Sequence, residues 1–247
     1  MLGLGALALI VSIVYSSSIP GLIGLGMIFW GAILTYIQNE EYVKEPIFQS
    51  VGISSFSALN YIIQKMDYSS KAIYLPPKYF RDPETTKAYV PKQQDEKLPT
   101  PEQIQAQEDQ LFTQNPSGML TSPPGLELTK FFEKTLGTNF TKEDISYIER
   151  NLPKLFTEEL EIAQNLEIKT EDTKITVKIE NSAFSSLSNE AKTFTNAYNA
   201  LGSPLASALA CALVKATGKL VTIQKETTDN KNIEIEYQLL QEEPQPA

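Results

Sequence analysis

Carboxylate, lysine and tyrosine are what this chain has left for acid–base or covalent chemistry, because histidine is absent and cysteine occurs once, at Cys211. Without imidazole there is no Ser-His or Cys-His nucleophile pair and no imidazole metal ligand. Nor does any side chain titrate near neutrality in its ordinary state. A lone thiol forms neither a metal-thiolate cluster nor an intramolecular disulfide, so nothing demands an oxidising compartment. Cys211 stands among alanines in the run Leu205-Ala-Ser-Ala-Leu-Ala-Cys-Ala-Leu-Val, where a cysteine behaves as a small hydrophobe. Gly218-Lys219 lacks the upstream glycine and the hydroxyl residue of a phosphate loop, since Leu220 follows. The acids Glu158, Glu159 and Glu161 read as a solvated helix face, because a carboxylate metal site needs a tighter convergent set. No catalytic, cofactor-binding or metal-ligating residue is therefore assigned, no cofactor is expected, and the chain does not read as an enzyme. One candidate site remains: Phe184, Phe194 and Tyr198 lie where they can line an apolar pocket roofed by the alanine-rich helix.

Those residues have to be positioned by a chain with two different parts. The first 38 residues carry no charge and hold two apolar runs, Met1–Tyr15 and Ile19–Ile37, separated by three serines and Pro20-Gly21. A helix needs roughly 20 apolar residues to cross about 30 Å of hydrocarbon, and each run approaches that length, so a transmembrane helical hairpin is expected over residues 1–38. A secretory signal would carry a basic leading segment and a small-residue cleavage site, and neither is present. A re-entrant hairpin inside a larger membrane complex is the other reading. Glycines at 3, 5, 21, 24, 26 and 31 suit close packing within the hairpin. The uncharged turn crosses easily, leaving both ends on the side that holds Lys44, Lys65, Lys71, Lys78 and Arg81. Basic residues near a span favour the cytoplasm, although Glu40, Glu41 and Glu45 crowd the exit.

About 200 residues follow, enough for one well-packed domain or two small ones. The net charge of -9 argues against nucleic-acid binding and against adhesion of the soluble part to anionic lipid. Residues 50 to 67 place Val51, Ile53, Phe56, Leu59, Ile62, Ile63 and Met66 at helical spacing. Ala72–Pro77 and Ala88–Pro91 read as a small hairpin or two edge strands, since proline is tolerated there. Their tyrosines Tyr74, Tyr79 and Tyr89 suit packing or a groove. Residues 92 to 110 read as a polar linker, followed by turn clusters around Met119-Leu120 that drape over a surface. Residues 39–125 thus form an amphipathic helix, short strands and a linker.

Residues 126–247 read as the α/β (α+β) soluble domain. A helix over Leu126–Leu136 stops at Gly137, and Thr141 opens the next with a capping-box-like arrangement that Pro153 breaks. Leu166–Thr170 and Lys174–Glu180 alternate as half-buried strands, helical sequence follows through Tyr198, and Ser203-Pro204 starts the alanine-rich helix that ends at Gly218. A last hairpin turns across Thr228–Lys231. Antiparallel hairpins packed against helices are the expected architecture. The sequon Asn139-Phe140-Thr141 matters only if the domain faces outward.

The order Ile175-Thr-Val-Lys-Ile-Glu-Asn-Ser182, Gly202-Ser-Pro-Leu205, an alanine-rich helix, Gly218–Thr227 and a final alternating strand resembles the four-vinyl-reductase domain over the last third of the chain. That α/β family is related to TRAPP-type trafficking subunits and serves as a small-molecule-binding module in sensors and archaeal proteins. Where it often places cysteines in the closing hairpin, this chain has Thr227 and polar residues, so metal or thiol chemistry is not implied. The whole chain also resembles uncharacterised archaeal membrane-anchored proteins. The functional expectation is a membrane-anchored, non-catalytic accessory or interaction subunit, bound to the bilayer through residues 1–38 and to a protein partner or a second copy. The alternative is a membrane-tethered small-molecule-binding or sensory domain.

Overall fold

The computed structural model describes residues 2–36, 45–93 and 98–241, which fall into two compact units, Met1–Glu45 and Pro46–Ala247. The charged exit at Glu40, Glu41 and Lys44 lies outside the described residues.

In the first unit, α1 (Leu2–Val14) and α2 (Ser18–Tyr36) form an antiparallel hairpin. A methyl carbon built on Gly24 would lie 2.8 Å from the carbonyl oxygen of Gly5, and one on Gly5 would lie 2.9 Å from that of Gly24. The backbones approach this closely because no side chain separates them. Gly21 against Ser12 and Gly31 against Leu2 extend the seam, whereas Gly3 and Gly26 face open space. The tight turn puts Ser16 at φ 46, and the Ser12 hydroxyl donates to the Ser17 carbonyl at 2.6 Å. The outward faces carry Leu4, Leu7, Ile13, Leu22, Leu25, Phe29 and Trp30, all exposed.

The second unit is built on one antiparallel eight-stranded sheet in the order β3-β4-β2-β1-β7-β8-β6-β5. Its strands are β1 (Ile73–Leu75), β2 (Lys87–Pro91), β3 (Phe112–Gln114), β4 (Ser117–Thr121), β5 (Asn165–Glu171), β6 (Lys174–Glu180), β7 (Leu220–Asp229) and β8 (Asn232–Leu240). Residues 46–125 and 126–247 thus contribute to a single sheet, joined where Ile73 and Tyr74 of β1 pair with Thr222 and Val221 of β7.

β1 and β2 pair antiparallel with each other, the hairpin alternative. Several other expectations need correction. The two strands are interior, not edges: β1 ends before Pro76, and Pro91 is the last residue of β2, paired with Gly118. Proline is thereby kept out of interior ladder positions. Met119 and Leu120 do not drape over a surface but are buried in β4, which pairs with β2. The polar segment 92–110 contains a short helix, α4 (Pro101–Gln105), whose capping box joins Thr100 and Gln103 and whose Ile104 is buried. Single buried residues of this kind leave too weak a periodicity to find from sequence. Of the two readings of Tyr74, Tyr79 and Tyr89, packing holds: all three are core residues.

The remaining helices are α3 (Glu45–Lys65), α5 (Leu126–Leu136), α6 (Ile145–Lys154), α7 (Ser185–Ala191), α8 (Thr195–Leu201) and α9 (Pro204–Thr217). On α3, Phe56 and Ile63 are buried while Met66, one residue past the helix end, is exposed. The cap of α6 is Asp144, which accepts from the Tyr147 amide at 2.8 Å, and not Thr141, which lies in a preceding 3-10 turn. Pro153 removes an amide donor from the last turn of α6, which runs on into a π-helical turn over Leu155–Glu159.

The centre of this unit is α9. Ser203 caps it by accepting from the Ala206 amide, Pro204 occupies its first turn, Gly218 closes it at φ 62, and Leu205 through Lys215 are buried without interruption. A helix buried on every side needs small residues where neighbours come closest, and α5 starts at such a point. A methyl carbon on Gly125 would lie 2.1 Å from the Ala208 nitrogen. One sheet face shares a core with α9 through Tyr74, Val90, Val177, Val221, Ile235 and Tyr237. The other is covered by Tyr79, Phe80 and Ile104 over β1, β2, β4 and the Leu220–Leu240 end of β7 and β8. Over β5, β6 and β8 it presents charge pairs, Lys174–Glu236 at 2.7 Å and Lys178–Glu234 at 3.2 Å.

Candidate functional site

Strand β7 begins as a regular core strand, with Ile223 opposite Tyr237 of β8. Its register then shifts between Ile223 and Lys225, so that Lys225 faces Glu236 and Glu226 faces Ile235. Side chains alternate along a strand with period two, and one extra residue reverses which of them face inward. Without the bulge at Gln224, Lys225 would share the inward face of Ile235. With it, Glu226 and Thr228 take that face, opposite Ile235 and Ile233. The alternation Ile223, Lys225, Thr227 in the sequence hides this, which is why Glu226 attracts no attention there.

Glu226 reaches the turn between α8 and α9. Its Oε2 accepts the Ser203 amide at 2.9 Å, one of the free donors at the start of α9. Gly202 adopts φ 69, and a methyl carbon there would meet Ile223 Cδ1 at 2.7 Å, so the turn that delivers the amide needs glycine. Oε1 of Glu226 is buried and accepts no hydrogen bond, and Thr228 Oγ1 on the same strand face is in the same condition. Burial pushes the Glu226 carboxyl above the usual carboxylate range, opposed by the Ser203 hydrogen bonds, Lys192 and Tyr198.

Beside this carboxylate lies a cavity of about 290 Å³ lined by Ser69, Lys71, Tyr198, Asn199, Gly202 and β7 residues 223–226. Its wall is set by α8. Asn60 of α3 accepts the Asn196 and Ala197 amides at 3.0 and 3.1 Å, capping the N-terminus of α8. Tyr74 donates to the Leu201 carbonyl at 2.6 Å at the other end. The Tyr198 hydroxyl donates to the Glu226 backbone carbonyl at 3.4 Å, and burial, then the Glu226 charge, raise its pKa. Lys71 Nζ donates to the Gln224 carbonyl, and burial lowers its pKa.

Of the three residues expected to form an apolar pocket, only Tyr198 lines this cavity. Phe194 packs edge-on to Phe56, centroids 6.2 Å apart, and Phe184 packs partly buried against the core. The cavity is polar because β7 supplies a carboxylate where the sequence pattern suggests a regular strand.

Three other groups among the described residues bear on chemistry. Cys211 is buried, its thiol pushed up to about 12 by burial. Lys215 of α9 donates to both carboxylate oxygens of Glu133 on α5 at 2.9 and 2.8 Å, and Glu133 also accepts the Phe140 amide at 2.9 Å. This buried ion pair ties α9 to α5, and both carboxylate oxygens of Glu133 accept from Lys215. A shallow groove of about 290 Å³ between Lys178, Thr227, Asp229, Asn232 and Glu234 lies on the charged outer face of the sheet. No cluster of three or more potential metal ligands occurs among the described residues.

A family described as a domain of unknown function (DUF7982) matches residues 1–238. No curated protein and no solved structure matches the chain.

Proposed function

From a chain that belongs to the DUF7982 family over nearly its whole length, we infer a membrane-anchored, non-catalytic accessory or interaction subunit. The observation that carries this reading is the surface of the α1–α2 hairpin. The stretch Ser18–Thr35 is apolar enough to span a membrane and only 11% buried, whereas Thr195–Thr217 passes the same test of composition but is 83% buried in the second unit. The two segments have similar composition and opposite surroundings. Water disfavours a continuous exposed apolar surface of this kind, and lipid accepts it. At about 1.5 Å per residue, the 19 residues of α2 reach about 28 Å, close to the hydrocarbon thickness, and the 13 residues of α1 about 20 Å. The shorter helix suits a hairpin that is tilted or seated against a partner within the membrane.

The second unit then serves as the part that meets other molecules, and basic residues on its side of the anchor favour the cytoplasm. Alkaline carbonate extraction tests the anchor. The full chain is expected to stay with the membrane pellet and a chain lacking residues 2–36 to appear in the supernatant. Release of the full chain at high pH overturns the reading. Co-purification in a gentle detergent tests the accessory role, with a stoichiometric partner or a second copy as the expected result.

A second reading, a membrane-tethered domain that binds a small molecule, is favoured by one observation, the cavity beside Glu226 with an inward carboxylate oxygen that has no partner. It agrees with the resemblance of the last third of the chain to the four-vinyl-reductase domain. It differs from the expected apolar pocket in its polarity.

A further inference from the structure

We propose that β5 is a dimerisation edge: it pairs antiparallel with β5 of a second copy, centred on Ile168, so that the two eight-stranded sheets run on as one. This names the partner in the accessory reading above, and rests on that reading for the expectation that a partner exists.

β5 ends the strand order, and its residues Asn165–Glu171 pair on one side only, with β6. The two-residue turn Asp172-Thr173 makes Glu171 and Lys174 a hydrogen-bonded pair. Bonds to β6 alternate from there, so the amides and carbonyls of Leu166, Ile168 and Thr170 point away from the sheet. Such an edge is an open template for another chain, and proteins commonly blunt it with proline, a bulge, an inward charge or a covering side chain. The opposite edge is blunted in this way: β3 is three residues long, and the Gln107 side chain accepts the Gln114 amide at 2.8 Å. β5 holds no proline, and its register with β6 is unbroken. Its inward side chains carry no charge: Leu166 is buried, Ile168 packs on the core and the Thr170 hydroxyl donates to Glu149 of α6 at 2.6 Å.

The charges of β5 fit a second copy. On the outer face Glu234, Lys178 and Glu167 stand in one row across β8, β6 and β5, alternating in sign, so the next position outward calls for a cation. Antiparallel pairing about Ile168 puts Lys169 of the second copy there and, by symmetry, Glu167 of the second copy beside Lys169. Glu167 and Lys169 are exposed and already meet at 2.9 Å within one chain, so the dimer closes a ring of four charges. Parallel pairing in the same register would set acid against acid and base against base. On the inner face Ile168 meets its own counterpart and Leu166 meets Thr170, with about six main-chain hydrogen bonds across the axis.

The test is the mass of the full chain in detergent, measured by light scattering over a concentration series, and a dimer is expected. Lys169→Glu, opposite Thr176 within its own sheet, sets acid against acid twice across the axis, and Glu167→Lys sets base against base. Each is expected to weaken the dimer at least about tenfold. Mixed in equal amounts, the two variants are complementary at both positions and are expected to form a heterodimer. Ile168→Pro removes the central amide on the side away from β6 and is expected to abolish pairing. Circular dichroism checks that each variant folds, Glu167→Lys above all, because that position faces Lys178 of β6. A dimer that persists in the charge variants, as one held by the hairpin would, overturns the proposal, and so does a mixture that fails to pair. A single copy accompanied by a different protein overturns the self-pairing and leaves the accessory reading, whereas a single copy alone overturns both.

Discussion

Two buried carboxylates show how far a single residue's surroundings decide its role. Glu133 and Lys215 are buried together, and each finds hydrogen bonds. Removing one partner of a buried pair strands a charge and costs about 3–5 kcal/mol, while removing both costs much less. Lys215→Met and Glu133→Gln are therefore each expected to lower stability by that order, and the double variant by clearly less than their sum. Denaturant unfolding of the full chain in detergent, followed by circular dichroism, measures this. Glu226 is the opposite case, a carboxyl that burial holds above its ordinary value of 4.5. Folded chains then bind more protons than unfolded ones between that value and the raised one, so stability falls as pH rises through this window. Glu226→Gln is expected to flatten that fall and to raise the melting temperature above it. Tyr198, Tyr74 and Tyr237 pack around it, and burial followed by charges that include Glu226 raises all three above the ordinary tyrosine value, clear of this window.

At the scale of elements, the alanine-rich helix is the member on which the rest of the second unit depends. Its small residues let α5 approach until Gly125 touches the backbone of α9, an arrangement that a methyl group cannot enter without moving a helix. Gly137, at the other end of α5, faces open space but sits at φ 64. Gly137→Ala is expected to cost about 1–2 kcal/mol, the left-handed penalty. Gly125→Ala should cost more, because overpacking of about 1–3 kcal/mol falls here on backbone atoms that cannot rotate away. Thermal melts of the two variants compare them directly, and equal losses would contradict the close approach. Much of this element was legible beforehand: Ser203-Pro204 and Gly218 bracket α9 where capping chemistry requires. The hairpin β3–β4 and helix α4 were not, because three-to-five-residue elements carry too few inward residues to show a period. Of the candidate site, Tyr198 was found through its helix. Glu226 was missed because a bulge leaves no trace in the pattern it interrupts.

For the whole molecule, the apolar hairpin and the buried thiol provide a test of the proposed orientation. Cys211, buried and with its thiol pushed up to about 12, is expected to resist maleimide labelling in the folded chain. Single cysteines introduced as Ser18→Cys and Lys231→Cys, both at exposed positions, then report separately on the hairpin turn and on the second unit. In intact cells a membrane-impermeant maleimide is expected to label the first and spare the second. The reverse pattern would place the second unit outside, where the sequon at Asn139 gains meaning. Labelling of neither or both would contradict a spanning hairpin.

The sequence by itself determined the division into an uncharged apolar segment and an acidic remainder, the hairpin pattern of β5 to β8, and the limits of α5 and α9. Each of these rests on local periodicity or on capping residues, which act within a few positions along the chain. Only the tertiary structure decided that β1 pairs with β7 to join both halves in one sheet, that Lys215 meets Glu133 across 82 residues, and that Glu226 turns inward beside a cavity. Those outcomes depend on which distant surfaces meet and on strand register. The physical reason is that burial acts on the folded assembly, and no window along the chain contains it.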